Sequence, residues 1–183
     1  MARPLKLLAQ SLAGLLVAGL LALLGWRVLH QPNPAGLGKA APLFTAKRLD
    51  GRGSLSLVAF RGRPVVVNFF ASWCSGCKTE AAALERTWAR YRRRGLVVLG
   101  VDSTDAGADG RSFALRKGLT YPVVRDPNGV IATDYGTTGV PESFVLDRNG
   151  RLVAQIIGPV NGPVSVRGPS FGDAVRSVLA RDA

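Results

Sequence analysis

The chain has 183 residues, two cysteines, one histidine, 47% hydrophobic residues and a formal charge of +12 at pH 7. Once an apolar N-terminal stretch is set aside, the remainder is one domain with room for a core, and nothing divides it in two. The basic residues are scattered without aromatic interleaving, which excludes a nucleic-acid module, and two cysteines with a lone histidine, His30, leave a zinc or copper centre short of ligands.

Between Leu7 and Trp26 the only polar side chains are Gln10 and Ser11. A run of that length crosses a hydrocarbon core of about 30 Å as a helix. Arg3 and Lys6 before it favour a cytoplasmic start, and Trp26, Arg27 and His30 suit the far interface. A cleaved signal peptide begins in the same way. However, the apolar part exceeds the usual run of about 7 to 15 residues, and no small-x-small cleavage site follows. Residues 1–30 are therefore read as a cytoplasmic start and an uncleaved, single-pass signal anchor in the cytoplasmic membrane. Under either reading the C-terminal domain lies on the extracytoplasmic, periplasmic side. Residues 31–41, with Pro32, Pro34, Gly36 and Gly38, have the composition of a linker that holds the domain, 42–183, off the membrane.

Leu55 to Phe60 reads as a short strand or irregular entry segment, Gly62-Arg63-Pro64 as a turn, and Val65 to Phe70 as a buried strand. A helix from about Cys74 to Tyr91 follows, with Ala81, Leu84, Trp88 and Tyr91 on one face. Arg92-Arg93-Arg94 complement its C-terminal dipole and Gly95 caps it. Leu96 to Val101 is a second apolar strand, so the unit is a right-handed crossover between parallel strands. A Ser/Asp/Gly-rich loop after Asp102 leads to a helix over Gly110 to Lys117, a short strand over Tyr121 to Arg125 and one or two helical turns over Val130 to Tyr135. Ser143 to Leu146 and Leu152 to Ile157 flank a hairpin turn at Asp147-Arg148-Asn149-Gly150, and a closing helix runs from about Phe171 to Ala180. Gly158 to Pro169 reads as a loop of no evident purpose.

Trp73-Cys74-Ser75-Gly76-Cys77 stands where the first strand gives way to the first helix. There, unpaired backbone N–H groups stabilise an anion. A Cys74 thiolate gains from this, so its pKa is expected below the free value of roughly 8.5. Cys77, one turn further on, is placed to attack a mixed disulfide at Cys74 and release the partner as a dithiol. An inert bridge is the alternative, but so short a loop adds little stability. In an exported domain, two cysteines spaced C-x-x-C read as a working redox pair.

The order of elements resembles the thioredoxin fold, an α/β fold with a central mixed sheet flanked by helices, here with an N-terminal transmembrane helix. Val66-Val67-Asn68-Phe69-Phe70-Ala71-Ser72-Trp73-Cys74, Cys77-Lys78-Thr79-Glu80, Tyr121-Pro122-Val123 and Tyr135 to Asp147 resemble the CcmG, ResA and TlpA group of membrane-anchored extracytoplasmic thiol:disulfide oxidoreductases. The resemblance spans roughly Gly38 to Gly158. It implies a cis peptide at Val140-Pro141 beside the redox pair, with the backbone before Pro141 pairing with a substrate strand. Trp73, Val140, Pro141 and Glu142 are then the substrate-binding candidates, Glu142 bordering the cleft and tuning the thiols or the partner surface. Asn68, an amide where thioredoxin has an aspartate, is expected to hydrogen-bond within the strand region.

Glu80, three residues after Cys77, carries two readings. One is a proton carrier for Cys77, which the resemblance also implies; the other is an exposed first-turn carboxylate facing the helix dipole. Ala81-Ala82-Ala83 stands where many relatives have a kinking proline, so a straighter helix is expected. The catalytic candidates are Cys74, Cys77 and Glu80. No metal and no cofactor beyond the Cys74–Cys77 disulfide is implied.

These residues suggest a dithiol reductase whose partners are an exported disulfide-containing protein, apocytochrome c above all, and a membrane thiol electron donor, with a role in cytochrome c-type biogenesis. A general TlpA-like reductase, a copper-centre assembly reductase and a dithiol oxidant share the chemistry. A thiol peroxidase would want a Thr and Pro framework around its cysteine, and a copper chaperone would want further soft ligands.

Overall fold

The structure is a computed structural model and describes residues 14–26, 36–162 and 165–180. The chain divides into two compact units, Met1–Pro32 and Asn33–Ala183. In the first, residues 14–26 are helical with their side chains exposed. Among the described residues no helix is long and apolar enough to cross a membrane. Residues 7–13 of the expected span, and His30, lie outside them.

In the second unit, strands β1 (Thr45–Lys47) and β2 (Ser54–Ser56) form a small antiparallel pair, and a 3-10 turn, Leu57–Phe60, completes the entry segment. The main sheet takes β3 (Val65–Phe70), β4 (Val97–Ser103), β5 (Val123–Asp126), β6 (Glu142–Leu146), β7 (Leu152–Ile157) and β8 (Ser165–Arg167) in the spatial order 5-4-3-6-7-8. Strands β3, β4 and β5 are parallel, whereas β6, β7 and β8 run antiparallel to their neighbours. Helices α1 (Ser75–Tyr91), α2 (Gly107–Arg116), α3 (Val130–Tyr135) and α4 (Phe171–Ala180) complete it. This is the expected thioredoxin fold.

Strand parity decides what each face of the sheet buries, because successive side chains point to opposite faces. Val66, Phe70, Val98 and Val145 share one apolar cluster with Cys74, Cys77, Ala81 and Leu84 of the first helix and with Val175 and Val178 of the last. Val67, Phe69, Leu99, Val101 and Phe144 form the opposite cluster with Ile131 and Tyr135. The Tyr135 ring there lies 5.2 Å from Phe69 and 5.0 Å from Phe144. With both faces covered, β3 and β4 are buried throughout and mostly apolar rather than alternating, as parallel strands are, with Asn68, Asp102 and Ser103 as the polar exceptions.

Two expectations are corrected. The linker read over 31–41 is from Gly38 onward part of the domain, since Gly38 and Ala41 donate to the carbonyls of Leu152 and Gly150 and Lys39 accepts from Leu152. The loop read over Gly158 to Pro169 contains β8, which adds an edge to the sheet against β7.

Candidate active site

Strand β3 carries the chain to the site. Past Phe70 it leaves the sheet through Ala71 and Ser72, and Cys74 caps the first helix with extended backbone (φ −76°, ψ 120°). Its Sγ accepts the Cys77 N–H at 3.0 Å. Sulfur thus occupies the place of the oxygen that usually caps a helix. Charge developing on it meets a backbone donor and the positive end of the helix dipole. The two cysteines are joined as a disulfide with Cα atoms 5.3 Å apart. Cys74 is 5% exposed and Cys77 1%, so an incoming sulfur meets Cys74 first. Trp73 beside it is 60% exposed.

The Val140-Pro141 peptide is cis, as the resemblance implies. Pro141 lies over the turn between the cysteines: a Cβ on Gly76 would stand 3.0 Å from its Cδ and 3.3 Å from its Cγ. Val140 is half-buried, and the pair leads directly into β6. Trp73, Val140 and Pro141 therefore flank the redox pair from the sequence sites expected of them.

Glu80 is not an exposed first-turn carboxylate. It lies in the second turn of the first helix, 1% exposed. Its Oε1 accepts from Asn68 Nδ2 at 2.8 Å and its Oε2 from the Val160 N–H at 3.0 Å. Asn68 Nδ2 also donates to Ser143 Oγ at 3.0 Å, which ties β3, β6 and the helix together beneath the thiols. Burial raises the Glu80 pKa to about 7, and the two hydrogen bonds only partly oppose it. Val160 was invisible to sequence reasoning, because it lies 80 residues from Glu80 in a segment with no pattern.

Glu142 is placed differently from the expectation. It is fully buried and pairs with Phe69 in the sheet, so its side chain lies on the face opposite the thiols. Its carboxylate accepts from the Thr138 N–H at 2.9 Å, from Thr138 Oγ1 and from Gln155 Nε2. A partner cannot touch it. Its work is to hold the loop that delivers Val140 and Pro141.

Asp102 and Asp105 were missed. The Asp105 carboxylate accepts the Ser72 N–H through Oδ2 and Ser72 Oγ at 3.0 Å through Oδ1. Asp102 is 1% exposed with neither carboxylate oxygen meeting an N–H or hydroxyl donor among the described residues, and burial, then the neighbouring Asp105 charge, raise its pKa to about 7. The sequence signal was weak: Asp102 stands at the end of an apolar strand and Asp105 in the Ser/Asp/Gly-rich loop after it, and neither belongs to a motif.

A family model described as the AhpC/TSA family matches residues 37–155. Thiol-disulfide oxidoreductase ResA of Bacillus anthracis is 31% identical over 122 residues, 67% of this chain and 70% of the relative. Thioredoxin-like protein YneN of Bacillus subtilis is 34% identical over 151 residues, 79% and 87% of the two chains. Among solved structures, a Chlorobium tepidum protein described as thiol:disulfide interchange protein DsbE superposes with a TM-score of 0.71. That match has 26% identity and covers 80% of this chain and 99% of the other. A C-x-x-C disulfide at a helix N-terminus, set in this fold and among these relatives, is a site for disulfide exchange, and the chain belongs to the AhpC/TSA family as a thiol-disulfide oxidoreductase.

Proposed function

We propose that the protein is a membrane-anchored, extracytoplasmic dithiol reductase that keeps cysteines of an exported protein reduced. Apocytochrome c is the favoured substrate, because its haem-attachment cysteines must be thiols before ligation. The anchoring and the compartment rest on the apolar segment from Leu7 to Trp26 with its basic start, and the substrate rests on the resemblance of the site motifs. The observation that carries the chemistry is Cys74 Sγ at the helix N-terminus, accepting from Cys77 and more accessible than its partner sulfur.

The steps balance without any group beyond the two thiols, a carboxylate and solvent water. Cys74 thiolate attacks one sulfur of the substrate disulfide; that S–S bond breaks and the other substrate sulfur leaves as a thiolate. Glu80 takes the proton of Cys77, directly or through a water. The Cys77 thiolate then attacks Cys74 Sγ; the bond between Cys74 and the substrate sulfur breaks, and the two substrate thiolates take up one proton passed on by Glu80 and one from solvent, so the substrate departs as a dithiol. Two electrons have passed to the substrate, and a membrane thiol donor returns them by the reverse exchange. Trp73 and the backbone at Val140 hold the substrate segment extended across the sulfurs, in the manner of an added strand.

The test is to trap the complex. Cys77→Ser, incubated with a peptide carrying an oxidised C-x-x-C-H segment, should accumulate a mixed disulfide at Cys74. Cys74→Ser should form none. If the native protein does not reduce that peptide while it reduces small disulfides, the cytochrome substrate is wrong and a general reductase remains. If a weak reductant is enough to recover the reduced protein, and the oxidised form passes its disulfide to peptide dithiols, the direction is wrong.

A further inference from the structure

Asp105 makes no cap for the helix that follows it. The N-cap position of α2 is Ala106, with no side-chain cap. Instead the carboxylate turns back across 33 residues of sequence to Ser72, whose backbone N–H donates to Oδ2 and whose hydroxyl donates to Oδ1, while the buried Asp102 carboxyl lies against it as a hydrogen-bonding neighbour. It can do so because Thr104 adopts a left-handed conformation (φ 54°), a costly choice for a β-branched residue. Thr104 is fixed there by its N–H donating to the Asp126 carbonyl at 3.0 Å. Asp126 itself is engaged with Ser103 Oγ and the N–H groups of Ile131 and Ala132.

Ser72 is two residues before Cys74, in the turn whose Ala71 carbonyl accepts the Cys74 N–H at 3.2 Å. The position of Cys74 Sγ over the helix N-terminus thus depends on a turn with one end in β3 and the other held by Asp105. We propose that Asp105 is a positioning residue of the exchange reaction: by clamping Ser72 through both carboxylate oxygens it fixes the turn that seats Cys74 Sγ on the first N–H groups of the active-site helix. The inference rests on the disulfide-exchange reading of the site, and on no particular substrate.

The charged groups that face the clamp are few. From β4, Asp102 lies behind it, its buried carboxyl wedged so closely on the next helix that a Cβ on Gly110 would stand 2.1 Å from Oδ2. From β5, Arg125 lays its guanidinium against Gly107 and acts electrostatically on Asp102. No described salt bridge reaches Asp105; its charged or hydrogen-bonding neighbour is the Asp102 carboxyl, and its bonds to the backbone and hydroxyl are those of Ser72.

The experiment compares the full-length reduced protein with Asp105→Ala, Asp105→Asn and Ser72→Ala. Two readouts are followed across pH: iodoacetamide alkylation of Cys74, located by mass spectrometry, and reduction of a small aromatic disulfide. In Asp105→Ala the alkylation midpoint should move up toward that of a free thiol. The exchange rate at neutral pH should fall about tenfold, as for a slightly misplaced nucleophile. Asp105→Asn keeps an acceptor for the Ser72 N–H and should restore the rate to within about threefold of native. Ser72→Ala, which loses only the hydroxyl bond, should shift the midpoint in the same direction by a smaller amount.

An Asp105→Ala protein with the native alkylation midpoint and rate overturns the proposal, whatever its melting temperature. So does Asp105→Asn as impaired as the alanine variant, since charge and not the clamp would then matter. Should Asp105→Ala fail to fold, an unchanged midpoint in Ser72→Ala overturns it. A native protein that alkylates normally but exchanges no disulfide would sink the exchange reading and leave the clamp to be judged on alkylation alone.

Discussion

Glu80 shows how far one residue's chemistry depends on where the chain puts it. A carboxyl group buried against Asn68 and Val160 titrates near 7, where a proton carrier for a neutral-pH reaction is most useful. The same shift has a consequence for stability. Between about pH 4.5 and about pH 7 the folded protein keeps a proton that the unfolded chain has lost, so stability falls as pH rises through that window and stays lower above it. Glu80→Gln is neutral throughout. It can still accept the Val160 N–H, and the Asn68 amide can turn over to meet the new donor. The variant should match the native protein near pH 4 and exceed it at pH 8 by at most about 3 kcal/mol in denaturant titrations. A residual slope from Asp102, shifted in the same sense, should persist. In exchange assays the same variant should lose the inflection near pH 7 in the resolution step; an unchanged profile would remove Glu80 from the reaction. Cys74 and Cys77 were legible in the sequence because motif and spacing define them, whereas the cis peptide at Pro141 was expected from the family resemblance. Glu142 was misplaced because its motif reveals adjacency to Pro141 but not the strand parity that turns it to the far face.

Elements were legible where hydrophobic period and punctuation agreed. The first helix was read from Cys74 and starts at Ser75, with Cys74 as its cap, and the closing helix matches at both ends. Gly95, at φ 93°, ends the basic turn Arg92–Arg94 as a left-handed cap. By contrast β8 has only three residues in a proline- and glycine-rich segment, and it is a strand because β7 offers an edge. Helix α2 begins at Gly107, three residues before the expected start, since the Ser/Asp/Gly composition that suggested a loop conceals its first turn.

Gly110 in that helix gives a prediction in which packing opposes propensity. Glycine inside a helix costs about 1 kcal/mol relative to alanine, so Gly110→Ala should stabilise an isolated helix. Here the new Cβ would fall 2.1 Å from Asp102 Oδ2 and 2.5 Å from its Cγ, against a buried side chain with little room to retreat. The overpacking should outweigh the gain and leave the variant less stable by about 1–3 kcal/mol in chemical denaturation. An unchanged or higher stability would mean that the helix can lift off β4 at no cost.

For the whole molecule, the direction of electron flow is a question of which redox state the fold favours. Folding and disulfide formation close a thermodynamic cycle, so a pair that is easy to oxidise in the folded protein is one whose disulfide stabilises the fold. A strong oxidant of this chemistry, near −120 mV, owes its potential to a stabilised reduced form, whereas a couple near −270 mV reduces others; the gap is about 7 kcal/mol. The site contains features on each side. The helix N-terminus and the Cys77 N–H stabilise a Cys74 thiolate and so the reduced state. Against this, the buried acid Glu80 sits one turn beyond Cys77, and both sulfurs lie in the apolar cluster beneath the sheet, where a thiolate is poorly solvated. We expect the second to prevail. The oxidised protein should then melt several degrees above the protein held reduced with excess dithiothreitol, and its couple should lie near or below −270 mV in redox buffers. If the reduced protein is instead the more stable, the fold holds its electrons, Cys74 and Cys77 work as an oxidant, and the reductase reading falls while disulfide exchange stands.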